Sequence, residues 1–155
     1  MKKMQEVLGD TSPKNMKQLT RSLSRGEGLE HLSSMQAELN SSYTKDYPLI
    51  GCLLTENYLV DYSWAGGFSK ATLCIIPIKE ITEIYRTNLA PNKKGEWKYD
   101  FDSFFLAIHS NSEFRGLYCR TFRSPAKKFP YLETYQQVIN HIRGNINSFS
   151  GGAAC

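Results

Sequence analysis

The chain has 155 residues, 41% of them apolar, with 19 basic and 15 acidic side chains and a net charge of +4. That length suits one domain with an appendage and a core that needs no staples. The mild positive excess argues against a nucleic-acid-binding composition, which calls for a stronger basic bias, and no apolar run reaches the ~18 residues of a membrane span.

Met1-Lys2-Lys3 is not followed by the apolar stretch of a signal peptide, so a cytoplasmic location is expected. Ser12-Pro13 predicts the N-cap and first position of a helix, because proline loses no bond there. Met16, Leu19 and Leu23 give that helix an apolar stripe, and Gly26 and Gly28 end it. A second helix is predicted over 29–39, with Leu29, Leu32, Met35 and Leu39 on one face and Ser41-Ser42 closing it. Two helices this short cannot build a core alone. They must pack on each other, on a sheet or on a partner.

Strands are predicted over 48–54, 57–64, 70–76, 80–87, 96–109 and 114–122. Tyr58, Val60, Tyr62 and Trp64 alternate with polar residues, the period of a half-buried strand. Along 96–109 the apolar phase slips from Trp97, Tyr99 and Phe101 to Phe104, Leu106 and Ile108. Such a slip would turn every side chain to the wrong face unless a bulge near Asp102-Ser103 absorbs it. Residues 124–130 read as a loop. A last amphipathic helix is predicted over 131–143, stopped by Gly144. The core is expected to hold Leu53, Val60, Ile75, Ile81, Leu106, Leu117, Leu132, Val138 and Ile142. Helices segregated in sequence from antiparallel strands define an α+β fold.

Few residues carry chemistry. Cys52, Cys74 and Cys119 lie in strand patterns as buried thiols, with Cys155 on the tail, and no pair has C-x-x-C spacing. His31, His109 and His141 have no partner at metal-ligand spacing. Cys119 and His109 fall on adjacent predicted strands, the one nucleophile and base that strand order brings near each other. No G-x-S-x-G or phosphate loop is present. Asp100 and Asp102 share a strand face and read as solvated. No catalytic, metal or cofactor site is expected. Lys93, Lys94 and Lys98 beside Trp97 form the candidate contact for a partner or an anionic surface. The competing reading puts Trp97 in the core, in phase with Tyr99 and Phe101. Arg115, Arg120, Arg123, Lys127 and Lys128 form a second basic group or a solvated face.

Two segments resemble a known superfamily. Leu53-Leu54-Thr55-Glu56-Asn57-Tyr58-Leu59-Val60 resembles the opening hairpin of bacterial PH-like and GRAM-like domains. Ile75-Ile76-Pro77-Ile78-Lys79-Glu80-Ile81-Thr82-Glu83-Ile84-Tyr85 is similar to the strand that follows it. The resemblance covers about 43–146. It implies a curved antiparallel sheet or partly open barrel of six to seven strands, capped by the C-terminal helix and preceded by two short N-terminal helices. Domain bounds are then 1–42, 43–147 and a flexible tail, 148–155. It also implies a non-enzymatic module binding phosphoinositides or peptides. The lipid-binding version clusters Lys and Arg in the loop between its first two strands. Here that loop is Thr55-Glu56-Asn57, with no base and one acid. The expected function is a module that binds a protein partner or self-associates. An anionic lipid head group is the alternative, an enzyme ranks third, and nucleic acid is not expected.

Overall fold

The computed structural model describes residues 3–62, 72–87, 89–91, 94, 96–99, 105–110, 113–118 and 125–149. The fold is α+β. The chain divides into two compact units, Met1–Ile78 and Lys79–Cys155.

In the first unit three helices precede a meander. They are α1 (Met4–Gly9), α2 (Pro13–Arg25) and α3 (Leu32–Glu38), the last led in by a 3-10 turn at Leu29–His31. Ser12 is the extended N-cap of α2 and Pro13 its first residue, as the Ser-Pro pair dictates. Strands β1 (Lys45–Tyr47), β2 (Cys52–Leu54), β3 (Tyr58–Asp61) and β4 (Cys74–Pro77) then pair antiparallel in chain order. One register row runs Asp46, Leu53, Val60, Ile75, and the next runs Tyr47, Cys52, Asp61, Cys74. Successive rows belong to opposite faces. Leu53, Val60 and Ile75 meet Leu8, Leu19, Leu23, Leu32, Met35 and Leu39 in one core. Burying each such side chain stabilises the fold by roughly 1.5–3 kcal/mol. The helix stripes are therefore used on this sheet. The helices and this sheet fall together in the unit Met1–Ile78.

The outer edge of β4 is not left open. Glu27 forms a parallel bridge with Cys74. The Glu27 N–H donates to Leu73 O at 3.2 Å, the Ile75 N–H to Glu27 O at 2.9 Å, and the Leu73 N–H to Ser22 O at 3.2 Å. Gly26 and Gly28 permit this approach. A Cβ on Gly26 would stand 1.8 Å from the Leu73 carbonyl oxygen, and one on Gly28, at φ +88°, would stand 2.2 Å from that of Ile75. The two glycines do more than end a helix.

In the second unit β5 (Ile81–Thr87), β8 (Phe105–Ser110) and β9 (Glu113–Tyr118) form an antiparallel sheet in the order β5-β8-β9. Between β5 and β8 in sequence, β6 (Leu89–Pro91) and β7 (Trp97–Tyr99) pair as a separate ribbon. Ile84 and Ile108 are register partners and both are buried. Helix α4 (Pro125–Phe149) packs against β5 and buries Tyr135, Val138, Ile139 and Ile142. The Arg143 guanidinium donates to Ile84 O at 3.1 Å.

The structure corrects several expectations. Among the described residues the strands number nine and fall into three sheets, with no closed barrel. Residues 48–51 form a turn, closed by Ile50 N–H to Tyr47 O at 3.1 Å, so the predicted strand 48–54 begins at Cys52. Strand 96–109 is two strands in different sheets, β7 and β8; the proposed bulge at Asp102-Ser103 lies outside the described residues. A register irregularity does occur, between Ile81 and Glu83. Asp61, one of the polar residues of the alternation over 57–64, is buried. Leu29 is 40% exposed, because the chain around it is a 3-10 turn whose side chains do not follow the helical stripe. Helix α4 starts at Pro125 and runs through both Pro130 and Gly144. A proline so near the start removes only one ladder bond, and Gly144 is not among the glycines with positive φ, so it makes no left-handed stop. Leu132 is only half-buried; Tyr135 fills the core instead. Leu53, Val60, Ile75, Ile81, Val138 and Ile142 are buried as expected. Leu106 and Leu117 stand opposite each other in the register, and their side chains lie outside the described set.

Candidate functional site

The β6–β7 ribbon carries the basic candidates. Lys94 is exposed at its turn. Trp97 stands opposite Pro91 and Lys98 opposite Ala90. Trp97 and Lys98 are consecutive on one strand, and such positions belong to opposite faces. Lys93 lies outside the described residues, as do Asp100, Asp102, Cys119, Arg120, Arg123 and Cys155. Arg115 is in β9, opposite Ile108, and Lys127 and Lys128 fall within α4 rather than a loop.

Among the described residues, β1 is the terminal strand of the four-stranded sheet. Large apolar side chains flank it on both sides: Tyr43 is 61% exposed and Leu49 44%. The Asp46 carboxylate of β1 accepts a short hydrogen bond from the Tyr62 hydroxyl. The turn from β1 to β2, Pro48-Leu49-Ile50-Gly51, carries no base.

Behind β1 lies the row Tyr47, Cys52, Asp61, Cys74. Full burial, reinforced by Asp61 and Asp46, holds the Cys52 thiol well above its ordinary pKa. Burial, with the Asp46 hydrogen bond and charge and a smaller contribution from Cys52, raises Tyr62. Burial, with Cys52 nearby, raises Tyr47. All three groups keep their protons at neutral pH. A nucleophilic cysteine needs the reverse, a thiolate made accessible and stabilised by positive surroundings.

The turn Thr55-Glu56-Asn57 is clasped from α3. Glu38 Oε1 accepts from Thr55 Oγ1 at 2.8 Å and from the Asn57 N–H at 2.9 Å, and Oε2 accepts from Asn57 Nδ2 at 2.8 Å. A second carboxylate thus joins Glu56 at the loop between β2 and β3. His31 stacks at a tilt on the Tyr58 ring, centroids 5.5 Å apart, and lies 3.6 Å from Glu30. His109 Nε2 is 3.1 Å from the Tyr85 hydroxyl, with the two rings stacked. Among the described residues no three His, Cys, Asp or Glu side chains gather to hold a metal, and no helix is long and apolar enough to cross a membrane.

No family model, curated protein or solved structure matches this chain. Sequence reasoning missed the apolar flanks of β1, because Lys45-Asp46-Tyr47 shows no strand pattern. It also missed the Glu38 clasp, which joins residues seventeen and nineteen positions apart.

Proposed function

We propose that this chain is a non-enzymatic, PH-like interaction module that binds a protein partner or a second copy of itself. The observation that carries this reading is the pair of exposed apolar side chains, Tyr43 and Leu49, at the two ends of the sheet's terminal strand. Tyrosine on a surface supplies rigid contact area with a polar tip, the kind of residue that anchors protein contacts. The PH-like reading draws support from the order of elements. With the β6–β7 ribbon set aside as an insertion, four strands, then three, then a C-terminal helix remain. The non-enzymatic reading draws support from the protonated state of Cys52, Tyr47 and Tyr62.

The test is a Tyr43→Ser/Leu49→Ser variant followed by sedimentation velocity over a range of concentrations, with and without a candidate partner. The wild type is expected to shift to larger species, and the variant to stay monomeric with an unchanged melting temperature. Identical behaviour of the two proteins would remove β1 as the contact. A second reading, contact with anionic lipid head groups, is favoured by the exposed Lys94 at the ribbon turn.

A further inference from the structure

Helix α2 carries Lys14, Lys17, Arg21 and Arg25, spaced three, four and four residues apart. At 3.6 residues per turn the four positions fall within about 80° of arc. All four are exposed. The opposite arc holds Leu19, Ser22 and Leu23, which are buried, and Met16, which packs on the core. The helix contains no acidic and no aromatic residue.

The rod is fixed in orientation by more than its apolar face. Asn15 Nδ2 donates to Val7 O and to Asp10 O, both at 2.7 Å, and the β4 lead-in donates to Ser22 O. The result is a straight line of cations about 16 Å long, at ~1.5 Å per residue. It is held toward solvent by the same packing that builds the core.

We propose that this stripe docks along the phosphate backbone of duplex nucleic acid, without reading its sequence. Phosphate neutralisation by Lys and Arg supplies nearly all of non-specific nucleic-acid binding and needs no other chemistry. Exposed Gln18 and Thr20 beside the stripe are of the donor types that settle on phosphate oxygens. A bilayer is the poorer fit. An amphipathic helix binds lipid by burying its apolar face in the interface, and here Leu19 and Leu23 already occupy the core. A single strand is also the poorer fit, because α2 offers no aromatic ring on which bases could stack. The net charge of the chain hides this feature, since acids elsewhere offset it. The proposal stands independently of the β1 contact.

The experiment is fluorescence anisotropy of a labelled mixed-sequence DNA duplex titrated with the full chain between 50 and 200 mM salt. Three phosphate contacts, by Lys14, Lys17 and Arg21, predict a log–log salt slope of about −2.7, at about −0.9 per contact. Lys17→Gln/Arg21→Gln should reduce the slope by about 1.8 and weaken binding at low salt at least about tenfold. Glutamine preserves the helix, being close to Lys and Arg in propensity. Lys45→Gln/Lys79→Gln removes the same charge from exposed positions elsewhere and should stay within about twofold of wild type, since exposed charges away from the contact contribute little. A scrambled duplex should bind equally well. No binding by the wild type overturns the proposal, as does equal weakening in the two variants. Binding to phosphatidylserine vesicles or polyglutamate without binding to the duplex also overturns it.

Discussion

Glu38 and Asn57 are joined twice, backbone N–H to Oε1 and side-chain amide to Oε2, at 2.9 and 2.8 Å. Together with Thr55 they fasten the end of α3 to the tip of the β2–β3 hairpin. Hydrogen bonds to a charged acceptor contribute about 1.5–3 kcal/mol net. Glu38→Ala should lower unfolding free energy by about that amount in urea denaturation. A loss below half of the lower bound would mean that the clasp holds nothing in place.

Helix α4 allows a paired test of burial. Ile142 is fully buried, so Ile142→Ala should cost about 2–5 kcal/mol. Leu132 is half-buried, and Leu132→Ala should cost clearly less, since part of its surface already meets water. Equal losses in chemical denaturation would show that the helix is rotated from the orientation described.

Buried Cys52 and half-buried Tyr62 predict alkaline instability. Cys52 and Tyr62 hold their protons more tightly in the folded chain than in the unfolded one. Below the unfolded values, near 9.0 for the thiol and 10.0 for the phenol, both states are protonated and the contribution is whole. Above them the unfolded chain sheds protons that the folded chain keeps, so stability falls as pH rises. For fully buried Cys52 the slope approaches about 1.4 kcal/mol per pH unit; half-buried Tyr62 adds less. Urea midpoints measured from pH 7 to 11 should decline from about pH 9 in the wild type and from about pH 10 in Cys52→Ala. A flat profile to pH 11 would contradict the burial of these two groups.

The ribbon is tested by charge reversal. Lys93→Glu/Lys94→Glu/Lys98→Glu should abolish co-sedimentation with anionic vesicles if the lipid reading holds, with a melting temperature almost unchanged because surface charges contribute little. Retained vesicle binding would exclude the ribbon, and no wild-type binding would exclude the reading.

Local chemistry made some of this structure legible. Ser12-Pro13 marked the start of α2, and β-branched runs marked β4 and β5. The spacing of Val138 and Ile142 marked the buried face of α4. Long-range pairing was not legible. Lys45-Asp46-Tyr47 becomes a strand only because β2 lies beside it, and residues 97–99 and 105–110 separate because they find different partners. Pro130 and Gly144 bounded a helix on propensity, yet α4 runs past both. The basic line on α2 was readable from its three- and four-residue spacing. Over residues 1–42 six bases nearly balance five acids, so net charge hides it.

The strap at Glu27 also bears on solubility. Cys74-Ile75-Ile76-Pro77 is apolar throughout and buried, and an uncovered strand of that kind is a template for chain-to-chain pairing. Its guard comes from a segment made forty-seven positions earlier, so a nascent chain emerges with Gly26-Glu27-Gly28 already waiting when the sticky strand appears. A larger residue at Gly26 or Gly28 would push the strap off this edge while the helices keep their place on the core. The first visible consequence would be aggregation rather than unfolding.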